Sequence, residues 1–471
     1  MLNHLPLTIW KHFTFSSQDF KNIAGVSTYT YQVIQDLRQS KDFPFTLRII
    51  KIPMEWICCK MVISLITSLD RFVQKWNLAK VRSVKHIVYF TSGEGSEVYQ
   101  ICSFIPKEFY ISIHFTGTEI KYFNGLLMNV LKNLGSRLIN LDVQISQVTH
   151  KCVTKCLLYT PFLENLNLSN KSFKQIDLED IAPALERMNR LTDLNLSGNI
   201  ITSLAPSLKH MTSLLKLDIS RTQNLHLIVL PTNVINTNFQ VLAPSLCMTN
   251  RLTTLNLSGN IITVNAAKAL APALKYMTNL LSLDISQTNI GHMSLKVLTT
   301  SIITMTNLEC LNIGCNWVGS DGQNDLVLIL QRLTRLKELD MSFSEIGVDK
   351  MIAFSPFLTK LKRLNLSANQ IAEYFEYPIV SFKMPNLEFL NLAANNITPK
   401  TAVGFAKSLE TMTSLTHLIL RHNKIGTDGM NIISSSIKNM KNLKILDIRD
   451  IMCSDFTFLT SLQGLTLINT D

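Results

Sequence analysis

One spacing constrains this chain more than anything else in it. The segment Leu191-Thr-Asp-Leu194-Asn-Leu196-Ser-Gly-Asn199 returns almost unchanged as Leu252-Thr-Thr-Leu255-Asn-Leu257-Ser-Gly-Asn260. The pattern L-x-x-L-x-L-x-x-N/T has its first leucine at Leu163, Leu191, Leu214, Leu252, Leu280, Leu308, Leu336, Leu361, Leu387, Leu415 and Leu443. Successive starts lie 28, 23, 38, 28, 28, 28, 25, 26, 28 and 28 residues apart. A frame at Leu138, Leu141 and Val143 precedes them, and Tyr110, Ile113, Phe115 and Thr118 fit one 28-residue step earlier. A short last unit fits Leu462, Leu465, Leu467 and Thr470. A chain built this way repeats one path, and no unit can cover its own leucines, so stability must come from stacking neighbours.

Each position of the pattern has a physical task. The fourth and sixth residues alternate onto one face, as a short strand requires. The ninth, Asn in Asn199, Asn260, Asn316, Asn369, Asn395 and Asn423, suits a tight turn where its amide satisfies backbone groups of adjoining units. Thr222 and Thr288 stand in the same place with weaker means. The return is helical: Ala267, Leu270 and Leu274 form an i, i+3, i+7 stripe, and Gly426-Thr427-Asp428-Gly429-Met430 opens another helix. The 38-residue step is expected to bulge around Asn224 to Phe239, as a tolerated insertion or as a contact element.

This is leucine-rich-repeat spacing, and over about residues 110 to 471 the chain resembles the ribonuclease-inhibitor-like leucine-rich-repeat superfamily. The resemblance implies an α/β solenoid, a horseshoe with parallel strands on the concave face and helices on the convex face. Residues 110–471 are then an array of about 14 units. Residues 46–109 read as irregular early repeats: Leu47, Ile50 and Ile52 suggest a strand, Trp56 to Trp76 a helix, and Val84, Ile87 and Tyr89 another strand.

Residues 1–45 do not follow the repeat. Leu5, Ile9 and Phe13 share a helical stripe, with Pro6 in the first turn. Ser16 or Ser17 caps a second helix with Asp19 in its first turn and Phe20, Ile23 and Ala24 as its apolar face. Ser27 or Thr28 caps a third, with Val33, Ile34 and Leu37 inward. Such a small helical module is expected either to cap the first coil or to bind a partner. The order Leu5-Pro6, Ile9, Trp10, Phe13, Asp19-Phe20, Val26 resembles an F-box. That resemblance implies that Leu5, Pro6, Ile9, Phe13, Phe20, Ile23 and Val26 pack against the Skp-type adaptor of a cullin ubiquitin ligase.

Composition narrows the function classes. With 46% hydrophobic and 17% charged residues over 471 positions, the chain has ample apolar surface to bury without metals or disulfides. Nine cysteines at irregular places, Cys58 and Cys59 adjacent, outline no disulfide framework and indicate a reducing compartment. No full set of His and Cys ligands at tight spacing forms around Cys152 and Cys156 or around Cys310 and Cys315, so no metal is expected. Met1 to Trp10 lacks the form of a secretory signal, and the apolar stretch Trp56 to Leu69 is too short and carries Lys60. A protein of the cytoplasm or nucleus, off the membrane, is expected. The net charge of +11 favours acidic partners, but no Lys/Arg run of five points to nucleic acid. Walker-type, G-x-S-x-G, H-E-x-x-H and paired CxxC motifs are missing, so neither enzyme chemistry nor a cofactor is expected.

Positions two, three, five, seven and eight of each unit face outward on the strand side. In early units they hold filler: Asn195, Ser197 and Gly198, then Asn256, Ser258 and Gly259. Later units replace it with Phe343, Lys362, Arg363, Phe389, His417, Ile419, Arg421, His422, Lys444 and Arg449. Exposed aromatic and arginine side chains on a rigid sheet are common anchors of binding. Phe343, Arg363, Phe389, His417, Arg421, His422 and Arg449 are therefore the expected contacts of a protein client, one with an acidic or phosphorylated segment. Drift on an unused surface is the alternative. Three functions fit: the client-recognition subunit of a cullin-type (SCF) ligase, a scaffold or regulator without ligase link, or a GTPase activator similar to the Ran activator family. The last fits least, because such activators begin with repeats directly and carry an acidic tail, whereas this chain ends Ile468-Asn-Thr-Asp471.

Overall fold

The computed structural model describes residues 46–53, 85–91, 110–116, 131–132, 136, 138–143, 150–170, 175–201, 204–222, 237–347, 353–372, 383–438, 440–455, 457 and 467–469. They fall into two units, Met1–Ser213 and Leu214–Asp471. The first contains strands β1 (Thr46–Pro53), β2 (Lys85–Thr91), β3 (Tyr110–Thr116), β4 (Leu138–Val143), β5 (Asn165–Asn167) and β6 (Asp193–Asn195). Each is parallel to the next, and helices α1 (His150–Leu157), α2 (Gln175–Leu185) and α3 (Ala205–Leu208) lie on the returns.

In the second unit the strands are β7 (Lys216–Asp218), β8 (Thr254–Asn256), β9 (Ser282–Asp284), β10 (Cys310–Asn312) and β11 (Glu338–Asp340). They continue as β12 (Arg363–Asn365), β13 (Phe389–Asn391), β14 (His417–Ile419), β15 (Ile445–Asp447) and β16 (Leu467–Asn469). Within this unit each strand pairs in parallel with the next. Helices α4 (Thr237–Leu246), α5 (Val264–Lys275), α6 (His292–Ile302), α7 (Gly319–Arg332), α8 (Pro399–Leu409) and α9 (Gly426–Ile437) carry the chain back. In the 25-residue step the described residues 353–354 are helical and run into a 3-10 turn at Ser355–Phe357. Parallel pairing follows from step length, since only a long return lets the next strand run in the same direction. The fold is thus an α/β leucine-rich-repeat solenoid.

Every first leucine from Leu163 to Leu443 stands two residues ahead of a strand. β1 and β2 lie where the early apolar clusters suggested. The expected module of 1–45, the helix from Trp56 to Trp76 and most of the bulge, 223–236, lie outside the described residues.

The core is the stack of pattern residues. Leu308, Leu311 and Ile313 of one coil are 0%, 2% and 0% exposed, and their counterparts in adjoining coils are buried alike. Each such side chain stabilises the stack by roughly 1.5–3 kcal/mol relative to exposure. The stripe Ala267, Leu270 and Leu274 is buried on α5, whose first turn is closed by Thr263 accepting from the Ala266 N–H. Thr398 and Thr401 form a reciprocal cap at the start of α8.

The buried asparagines do what their place in the turn requires. Asn316 Nδ2 donates to the Ile285 carbonyl of the preceding coil at 2.8 Å and to Ile313 of its own at 2.9 Å. Its Oδ1 accepts from the backbone N–H groups of Thr288 and Ile290. Asn199, Asn260, Asn369 and Asn423 also bond back across one coil. The Thr288 hydroxyl donates at 2.7 Å to Ile285 of its own coil and has no second arm to send backward.

Candidate binding face

Register decides which exposed side chains meet. The third position of consecutive coils brings Glu338, Arg363, Phe389, His417 and Ile445 into one row across β11 to β15, with neighbouring strands about 4.8 Å apart. Within it the Arg363 guanidinium lies over the Phe389 ring, 4.3 Å from its centroid. The His417 ring stands 6.0 Å from Phe389 on the other side, tilted by 43°, and its Nδ1 is 2.8 Å from the Thr416 hydroxyl. Three expected anchors therefore form one continuous stack on three strands.

The fifth position explains why Asn and Asp recur there. Its side-chain oxygen accepts the N–H two residues on, ending each strand, from Asn167 through Asn391 and again at Asp447. Ile419 breaks the series among the described coils. It gives up that bond to place a half-buried aliphatic side chain between the rows of His417 and Arg421.

At the seventh position Arg421 and Arg449 sit on adjacent coils. Arg449 grips the buried Asp447 with both arms, Nε to Oδ1 at 2.8 Å and an Nη to Oδ2 at 2.6 Å. Arg421 Nε is buried without a hydrogen-bond partner, although its charge acts on Asp447 as well. His422, one residue on, has Nδ1 at 3.1 Å from Asp450. Phe343 occupies the same eighth position but three coils away, with Ala368 and Ala394 between, and is 61% exposed. The structure thus stacks Arg363, Phe389 and His417, sets Arg421, His422 and Arg449 on the coils of β14 and β15, and leaves Phe343 apart.

The face is less basic than its arginines suggest. Arg363 Nε lies 3.9 Å from Glu338, Lys362 pairs with Glu388 at 2.7 Å, and Arg449 and His422 have Asp447 and Asp450. Exposed pairs add little stability, but they cancel charge locally. Counting arginines in sequence could not show this, because each partner comes from a neighbouring coil or from a filler position. Register also exposes residues the sequence reading passed over: Arg335, Lys337 and Lys360, which precede or follow a first leucine and help line an open recess of about 520 Å³ beside the face.

The Arg449–Asp447 pair carries a pH prediction. The Arg449 side-chain bond is the main reason that the Asp447 carboxyl titrates below its ordinary value of 3.8, while burial acts upward. A depressed carboxyl contributes stability that is present above its ordinary value and lost as pH falls through the lowered one. In Arg449→Gln the largest downward cause goes, while the residue 449 backbone N–H, the Arg421 charge and the upward effect of burial stay. The Asp447 titration, followed by carboxyl carbon NMR, should move to higher pH, and the acid-induced loss of stability that Asp447 contributes should shrink, so that the variant is the less stable chain near neutral pH and the two converge as pH falls through the lowered value. An unmoved titration would contradict the assignment.

The adaptor contacts expected at Leu5, Pro6, Ile9, Phe13, Phe20, Ile23 and Val26 lie outside the described residues. Among the described residues no group of three or more His, Cys, Asp or Glu could hold a metal, and no helix is long and apolar enough to cross a membrane.

A family described as "Leucine Rich repeat" matches residues 251–271, 304–322 and 411–431. No curated protein matches the chain. Among solved structures, an internalin (inlF) from Listeria monocytogenes is similar at 20% identity and a TM-score of 0.40, over 75% of this chain and 84% of that one. A TLR13–ssRNA13 complex is similar at 19% identity and a TM-score of 0.43, over 82% of this chain and 58% of that one.

Proposed function

We propose that this leucine-rich-repeat chain binds a protein client on the strand face of β12 to β15 and presents it to a cullin-type (SCF) ubiquitin ligase. The observation that carries client binding is the Arg363–Phe389–His417 stack, flanked by Ile419 and by Arg421. Stacked aromatics on a rigid sheet give contact area at little entropic cost. Arg421, half-buried at the seventh position, keeps part of its guanidinium open to a client acceptor. The ligase half rests on the F-box resemblance of residues 1–45, through which Leu5, Pro6, Ile9, Phe13, Phe20, Ile23 and Val26 would hold the Skp-type adaptor. In this reading residues 46–109 supply the first, irregular coils, and residues 110–471 form the array of the ribonuclease-inhibitor-like kind.

The test is affinity capture by the full-length protein with quantitative mass spectrometry. Phe389→Ala and Arg421→Glu should each lower recovery of the client about tenfold or more, while leaving the adaptor bound. Ile9→Asp should remove the adaptor and leave the client. Recovery untouched by either face substitution would refute the face. A client that comes down without any adaptor would leave a scaffold without ligase link.

A further inference from the structure

We infer that the recess at the leading ends of β11 to β14 receives the phosphomonoester of a phosphorylated side chain on the client. This deepens the client-binding reading above and rests on it. Four successive coils place Arg335, Lys360, Asn386 and Ser414 at one point of the repeat, the residue before the first leucine, and all four line the recess. The row beside them consists of Glu309, Lys337, Lys362 and Glu388.

Charge selects the ligand. Lys337 pairs with Glu309 at 2.7 Å and Lys362 with Glu388 at 2.7 Å, so these four groups cancel. Among the described residues Arg335 donates to the neutral Asn307 Oδ1, at 2.8 Å, and Lys360 is exposed. Four cations against two carboxylates leave two positive charges. A phosphomonoester carries about −1.5 to −2 near neutral pH, with three acceptor oxygens. A client carboxylate would match only half that excess. Asn386 and Ser414 add neutral donors for the remaining oxygens.

Size and position select its carrier. A volume of about 520 Å³ exceeds what a bare anion fills and admits a phosphorylated side chain. Lys362 and Glu388 immediately precede Arg363 and Phe389, so the recess is continuous with the aromatic stack. The face itself has most of its cations paired, so a client anion finds its countercharge here rather than over Arg363 or Arg449.

The test is phosphorus NMR of N-acetyl-O-phosphoserine amide titrated with the full-length protein. Saturable line broadening is expected, with binding about tenfold weaker in Arg335→Gln/Lys360→Gln. Lys407→Gln, an exposed lysine on α8, should bind as the unaltered chain does, and N-acetylserine amide should not compete. Absence of broadening, or equal affinity in the double variant, overturns the site. Inorganic phosphate binding as tightly as the phosphoserine derivative overturns the client as its source. Because this readout needs no client, loss here with Phe389-dependent capture intact sinks the recess alone. The converse sinks the face alone.

Discussion

Replacing Asn316 by alanine is expected to destabilise the coils around β9 to β11 by about 3–5 kcal/mol, more than any exposed substitution on the binding face. The side chain is 2% exposed. Its Nδ2 serves two carbonyls and its Oδ1 two backbone N–H groups, on two coils. Alanine would leave the Thr288 and Ile290 N–H groups and the Ile313 carbonyl without that partner, and each stranded buried group costs about 1–3 kcal/mol. The Ile285 carbonyl keeps the Thr288 hydroxyl, which limits the damage. Asn316→Asp is nearly isosteric and keeps the acceptor, yet turns a second oxygen toward two carbonyls, so it should be about as harmful at neutral pH. Thr288→Val removes one hydroxyl and should cost only about 1 kcal/mol. Hydrogen-exchange opening free energies of strand amides in β9 to β11 provide the measure. A loss below about 1 kcal/mol for Asn316→Ala would show that water replaces the amide.

The same asparagine shows why so much of the fold is legible in the sequence. In a stack, the residue that covers Leu311 is its own counterpart one step along, Leu283 or Leu339, so the core is written at a fixed period. Strand positions, the α5 stripe and the buried turn residues all follow from that period. What does not follow is anything set by chemistry between coils. Arg363 is an exposed arginine in sequence; only register puts Glu338 on one side of it and Phe389 on the other. Phe343 looks like a member of the same patch until Ala368 and Ala394 are seen to separate it from His422. Ile419 is conspicuous only once the fifth position is known to end each strand through a side-chain acceptor. The recess residues Arg335 and Lys360 stand outside the leucine frame, where no pattern draws the eye to them.

That one-dimensional logic makes a second, larger prediction. Leu311→Asp should destabilise its own coil by more than 5 kcal/mol and yet leave the binding face standing. Leu311 is 2% exposed and flanked by Leu283 and Leu339 at 1% and 3%. The change removes roughly 1.5–3 kcal/mol of burial and sets an unpaired carboxylate among leucines, a penalty of several kcal/mol even after relaxation. The chain escapes by opening that coil. Because each coil contacts only its neighbours, the disturbance should fall off within a step or two. Hydrogen exchange should show protection lost in β9, β10 and β11 but retained in β14 and β15, where His417 and Arg449 sit. Leu311→Val, which only trims a methylene, should cost about 1 kcal/mol and move nothing remote. Uniform loss of protection through β15 would mean that the second unit unfolds as one cooperative body, and its binding face could then not be treated as separable from the coils that precede it.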